Sequence, residues 1–107
     1  MSLVDLVYDN LVHYNSWRDV QKYPTMFLSG FPLTKLSLDD PDQRKEWIVP
    51  RSMASQELSM LEIDEWFVRI EKHSGVMPSR ITIALVNDDS TVSYYFVHRG
   101  IVKPRKN

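Results

Sequence analysis

The chain has 107 residues, of which 43% are apolar and 25% charged, and its formal net charge is −1. That balance predicts one soluble globular domain over residues 1–107 with a modest core. It excludes a disordered chain and any global attraction to nucleic acid or acidic membranes. No cysteine is present, which removes disulfides, thiolate nucleophiles and cysteine-based zinc sites together. The apolar runs fall short of the about 18 residues that a membrane-spanning helix needs. The first residues lack the basic and long apolar regions of a signal peptide, so an intracellular protein is expected.

In chain order, Leu3, Val4, Val7, Tyr8, Leu11 and Tyr14 recur at spacings of three and four. This predicts a helix over 3–14 with one apolar stripe and with Asp5, Asp9 and Asn10 turned outward. Residues 17–23 shift toward alternation and predict a short strand closed by Pro24. Residues 24–42 hold Pro24, Gly30, Pro32 and Pro41 with Asp39, Asp40 and Asp42. They predict a loop, with one short strand at Thr34–Leu38. Lys45–Val49 predicts a strand stopped by Pro50. Glu57–Ile63 is open between a strand and an early helical turn. From Ile63 onward, Ile63, Trp66, Phe67 and Ile70 share a helical face, with Asp64 as candidate N-cap and Gly75 as candidate C-cap.

Residues 80–87 carry apolar groups on both faces, Ile81, Ile83 and Leu85 against Ala84 and Val86. That pattern suits a strand buried on both sides. Residues 91–98 form the next strand, and the tip Asp88-Asp89-Ser90 makes the pair a hairpin. The expected fold class is therefore α/β, a mixed sheet with one helix leading and a second before a C-terminal hairpin.

Four features bear on chemistry. Asp88 and Asp89 could ligate a metal, but further oxygen ligands would have to converge on them, and no spacing supplies those. At a hairpin tip the same residues have a conformational explanation, so a turn is preferred and no metal or cofactor is expected. His13, His73 and His98 lie in different elements with no nucleophile grouped beside them, which favours structural roles. Tyr94, Tyr95, Phe96 and Val97 put bulky groups on both faces of one strand. An RNA-base platform is conceivable, yet basic residues between the aromatics are missing until Arg99. One face suits a core, and the other face or the strand edge suits a protein partner. The tail places Arg99, Lys103, Arg105 and Lys106 together without an acid, which suits either phosphate contact or a solvated end.

The run NDD-x-T-x-x-YYFV-x-x-G-x-x-KP-x-x-N, from Asn87 to Asn107, resembles the C-terminus of the Sen "fifteen" family. These are the smallest structural subunits of the eukaryotic tRNA-splicing endonuclease. LVYDNLVHYNSWRDV, from Leu6 to Val20, is similar to that family's N-terminal helix and first strand, whereas 24–60 match only in layout. The resemblance implies a tRNA-intron-endonuclease-like fold and membership of a heterotetramer with two catalytic and two non-catalytic subunits. Such an enzyme cuts precursor tRNA without metal through a Tyr-His-Lys triad. This chain lacks the parts. Where catalytic subunits place a lysine before the buried strand, it reads Met77-Pro78-Ser79-Arg80, and arginine is a poor substitute for a compact cation. The resemblance thus implies a non-enzymatic subunit without cofactor.

It also implies that Asn87, Asp88 and Asp89 form an acidic loop docking on another subunit. Tyr94, Tyr95, Phe96 and Val97 would pair edge to edge with the catalytic "thirty-four" subunit, or with a second copy when the chain is alone. Precursor tRNA would be met through the complex, with Arg99, Lys103, Arg105 and Lys106 as candidate contacts. The compartment implied is the nucleus or, in some fungi, the cytoplasmic face of mitochondria, with no membrane insertion. Two rivals stand beside this reading. One is a metal-independent ribonuclease using His73 or His98 with Lys103. The other is a stand-alone RNA-binding module using Tyr94, Tyr95 and the basic tail.

Overall fold

A computed structural model describes residues 2–23, 27–32, 45–53 and 59–98. Helix α1 (Leu3–Asp9) runs into a wider π-turn (Asn10–Tyr14). Strands β1 (Arg18–Tyr23), β2 (Phe27–Phe31) and β3 (Glu46–Ser52) follow. Then come helix α2 (Met60–Ser74) and strands β4 (Arg80–Val86) and β5 (Val92–His98). The five strands lie side by side in sequence order. Only β3 and β4 are parallel, because α2 carries the chain back between them. The other neighbours are antiparallel. The expected mixed sheet with two helices and a final hairpin is what forms.

The pleat sends successive side chains to opposite faces, and each face has its own helix. On one face, Phe27, Val49, Ile81, Ile83 and Val97 meet Ile63, Phe67 and Ile70 of α2. On the other, Leu28, Ile48, Ala84 and Val86 meet Val7 and Leu11 of the N-terminal helix. β4 is covered on both sides, as its doubly apolar sequence predicts.

Four expectations are corrected. The region 24–42 is not loop throughout: Phe27–Phe31 is a strand with buried Phe27, Leu28, Ser29 and Gly30. Gly30 is tolerated because a Cβ there would stand 3.0 Å from Val20 Cγ2. The expected strand at Thr34–Leu38 lies outside the described residues. Pro50 does not stop β3, which continues to Ser52. The described β2 ladder reaches only Ile48, so among the described residues Pro50 has β4 alone beside it, an edge position where a sheet tolerates proline.

The N-cap of α2 is Ser59, not Asp64: its hydroxyl accepts from the Glu62 N–H at 3.1 Å. Of the open stretch Glu57–Ile63, residues 57 and 58 lie outside the described residues and Met60–Ile63 is helical. Gly75 closes the helix at φ 83, in the left-handed region that glycine enters without strain. Finally, the first helix does not keep one stripe to Tyr14. The π-turn rotates the last turn, so Tyr14 is 82% exposed while Asn10 turns inward to the sheet.

Candidate interaction surface

The sheet has two outer strands of opposite character. β1 is irregular: its ladder shifts between Arg18 and Gln21, around Asp19 at φ 50. Arg18, Asp19, Gln21 and Lys22 are exposed there. Lys22 also donates to Asp5 at 3.1 Å, and that bond holds the Asp5 carboxyl below the usual carboxylate range. A bulge and charges are how natural sheets blunt an edge. β5 has none of these devices. It pairs with β4 without a break from Val92 to His98, and Val92–Val97 carry no charge. Among the described residues it has no second neighbour.

Its four aromatic-rich positions divide by the pleat. Tyr94 faces α1 and the π-turn, and its phenol donates to Asn10 Oδ1 at 2.6 Å. Burial pushes the Tyr94 phenol up to about 12. Val97 belongs to the core beneath α2. Tyr95 and Phe96 remain exposed, at 55% and 42%. The ring of Phe96 lies 4.1 Å from the Arg80 guanidinium.

The tip is a tight turn. The Ser90 N–H donates to the Asn87 carbonyl at 3.0 Å, and the Asn87 N–H donates to the Thr91 carbonyl at 2.8 Å. Ser90 takes φ 70, the left-handed residue that lets a four-residue turn rejoin a twisted ladder. Asn87 Nδ2 donates to Thr91 Oγ1 at 2.9 Å. Asp89 Oδ1 accepts from both the Thr91 hydroxyl at 2.6 Å and the Thr91 N–H at 3.1 Å. The hydroxyl bond above all holds the Asp89 carboxyl below its usual range. Asp89 is therefore occupied in building the turn, while Asp88 is exposed with no hydrogen bond among the described residues. No group of three metal-binding side chains occurs among the described residues.

Arg80 is built into the core. It donates from Nε to Glu46 Oε1 at 3.2 Å and from Nη2 to Glu46 Oε2 at 2.9 Å, with side-chain exposures of 7% and 1%. Nothing in the sequence announced this pair, since the partners stand 34 residues apart and meet only once β3 and β4 align. The histidines stay separate. His13 is exposed in the π-turn, His98 sits across from Arg80, and the His73 ring stands edge-on to Tyr23 at 4.4 Å. Arg99, Lys103, Arg105 and Lys106 lie outside the described residues.

A family model described as "Sen15 protein" matches residues 6–107. The chain belongs to the Sen15 family. It is 35% identical over 111 residues to the tRNA-splicing endonuclease subunit SEN15 of Eremothecium gossypii, covering 98% of this chain and 91% of that protein. A 28-residue segment, 26% of this chain, is 64% identical to the probable tRNA-splicing endonuclease subunit tsp-1 of Neurospora crassa, of which it spans 13%. The family resemblance carried by the Asn87–Asn107 motif is thus borne out. The exposed groups of the described hairpin include Asp88 at the tip and Tyr95 and Phe96 along β5.

Proposed function

We propose that this chain is a non-catalytic subunit of a tRNA-splicing endonuclease, which supports assembly of the complex that removes introns from precursor tRNA. The observation that carries the reading is the regular, uncharged and exposed β5 edge in a member of the Sen15 family. That edge pairs with the corresponding strand of the catalytic "thirty-four" subunit, with main-chain bonds setting the register and Tyr95 and Phe96 supplying burial. A second copy of the chain takes the same edge when the partner is absent. The tip Asn87-Asp88-Asp89 docks in a basic pocket on another subunit, where the free Asp88 carboxylate meets arginine or lysine through charge-assisted bonds. The absence of catalysis is supported by Arg80, which stands where sister subunits carry lysine and is engaged with Glu46. Precursor tRNA is met through the assembled complex, in the nucleus or on the mitochondrial surface.

The test is co-expression with the catalytic subunit followed by mass determination of the complex. A stable pair is expected, and the double change Asp88→Ala, Asp89→Ala should weaken the tetramer while the pair survives. Normal tetramer formation by that double variant would remove the docking role of the loop. Cleavage of precursor tRNA in EDTA by the isolated chain, abolished by His73→Ala or His98→Ala, would overturn the non-catalytic assignment. Tight RNA binding by the isolated chain with a steep salt dependence would favour the RNA-binding alternative.

A further inference from the structure

The geometry points to Phe96 as the anchor through which the β5 edge grips an incoming strand, with the buried Glu46–Arg80 pair acting as the device that holds its ring in place. This rests on the edge pairing proposed above and names the side chain that carries it.

The register puts Thr82 directly across from Phe96, and Arg80 across from His98. Arg80, Thr82 and Phe96 therefore stand on the same face of the sheet, the face that α1 covers. Val92 and Tyr94, further back on that face, pack against the cluster formed with α1, but Phe96 is not part of that packing. Its support is the Arg80 guanidinium at 4.1 Å from the ring centroid. Arg80 cannot swing, because its fork is closed on Glu46 by two hydrogen bonds and both side chains are almost wholly buried. A planar cation locked against a carboxylate presents a flat, immobile surface, and an aromatic ring over it gains a cation–π contact that a partly desolvated site strengthens.

The consequence is an exposed aromatic side chain whose inner face is already fixed. Interface anchors are typically such residues, and a side chain ordered before binding loses little entropy when the partner arrives. The partner this fits is a strand edge from another chain that offers an apolar side chain to the outer face of the ring. Tyr95, on the opposite face, has no such support among the described residues and is the more exposed of the two.

The test measures association and dissociation of the full chain with the immobilised catalytic subunit of the proposed pairing, with each variant's thermal midpoint recorded beside it. Phe96→Ala should weaken binding by about 30-fold or more, mostly through faster dissociation. Phe96→Tyr, which keeps the ring, should restore most of it. Phe96→Leu still covers the ion pair but has no quadrupole to meet Arg80, and should bind closer to the alanine variant. Arg80→Lys keeps the charge and loses the fork, and should raise the dissociation rate about fivefold. Wild-type affinity for Phe96→Ala, full affinity for Phe96→Leu, or a wild-type dissociation rate for Arg80→Lys each overturns the inference. Tyr95→Lys separates the two levels, because a charge on the other face opposes any pairing at this edge. If it weakens binding while the Phe96 variants do not, the edge pairing stands and the anchor fails. If none of these variants weakens binding, the edge pairing itself fails.

Discussion

Tyr94 donates its phenol proton to Asn10 Oδ1 at 2.6 Å, joining residues 84 positions apart. Asn10 also accepts from Asn15 Nδ2, through Oδ1 at 2.8 Å and through its main-chain carbonyl at 3.0 Å. One amide thus ties the π-turn to itself and to β5, the strand that carries the exposed edge. The wide turn has a reason here: it brings Asn10 inward at the cost of Tyr14, which is left in solvent.

Replacing Tyr94 by phenylalanine should cost about 1 kcal/mol, the net worth of one hydrogen bond. Desolvation also makes the folded chain hold this phenol's proton more tightly than the unfolded chain does, with the folded value at about 12. Stability should therefore be complete below the unfolded phenol's value of about 10 and fall as pH rises toward 12. Alkaline titration of tyrosinate absorbance should contain a late step that Tyr94→Phe removes. Loss of no late step in that variant would place the proton elsewhere.

Thr82 is 1% exposed, and its Oγ1 is buried without a hydrogen-bond partner among the described residues. It sits between Ile48 and Phe96 in the ladder. Because an unpaired buried hydroxyl costs free energy, Thr82→Val should raise stability by about 1 kcal/mol. In urea denaturation the midpoint should move up with an unchanged slope. A lower midpoint would mean that the hydroxyl has found a bond.

The two tip aspartates should separate cleanly. Asp89→Ala removes both bonds to Thr91 and should lower the thermal midpoint, whereas Asp88→Ala should leave it unchanged. The folded Asp89 carboxyl is held below its unfolded value, so its contribution is present above about pH 3.8 and lost as pH falls through the folded value. Acid unfolding of the Asp89→Ala chain should therefore lack that part of the pH dependence. Weaker assembly by Asp88→Ala alone would then trace the docking to the carboxylate that makes no bond in the turn among the described residues.

The caps of α2 offer a direct check on its ends. Ser59→Ala should cost about 1 kcal/mol by orphaning the Glu62 N–H. Gly75→Ala should cost about 1 kcal/mol as well, and for the backbone alone, since an added Cβ would meet nothing within 4 Å while φ remains 83. Asp64→Ala, at the cap position that the sequence favoured, should change stability little. Circular dichroism melts of the three variants decide between Ser59 and Asp64.

What the sequence determined by itself was local. Apolar spacing located both helices, double-sided apolarity marked β4, and Asp88-Asp89-Ser90 marked the turn, because these patterns state burial and backbone preference within a few residues. The C-terminal motif was equally legible, and it carried the family. Tertiary structure decided everything that depends on which strands become neighbours. β2 was hidden by the prolines around it, and its register with β3 is what shows Phe27–Phe31 to be a strand. Pro50 reads as a stop, yet β3 runs on beside β4 to Ser52, past the end of the described β2 ladder. Tyr94, Tyr95, Phe96 and Val97 read as one aromatic run, yet the pleat and the two helices bury Val97, half-bury Tyr94 against Asn10 and leave Tyr95 and Phe96 outside. Glu46 and Arg80 each begin a strand and look solvated in sequence. The parallel alignment of β3 with β4 closes them into a buried pair beneath Phe96, because two charges can leave water only when each finds the other.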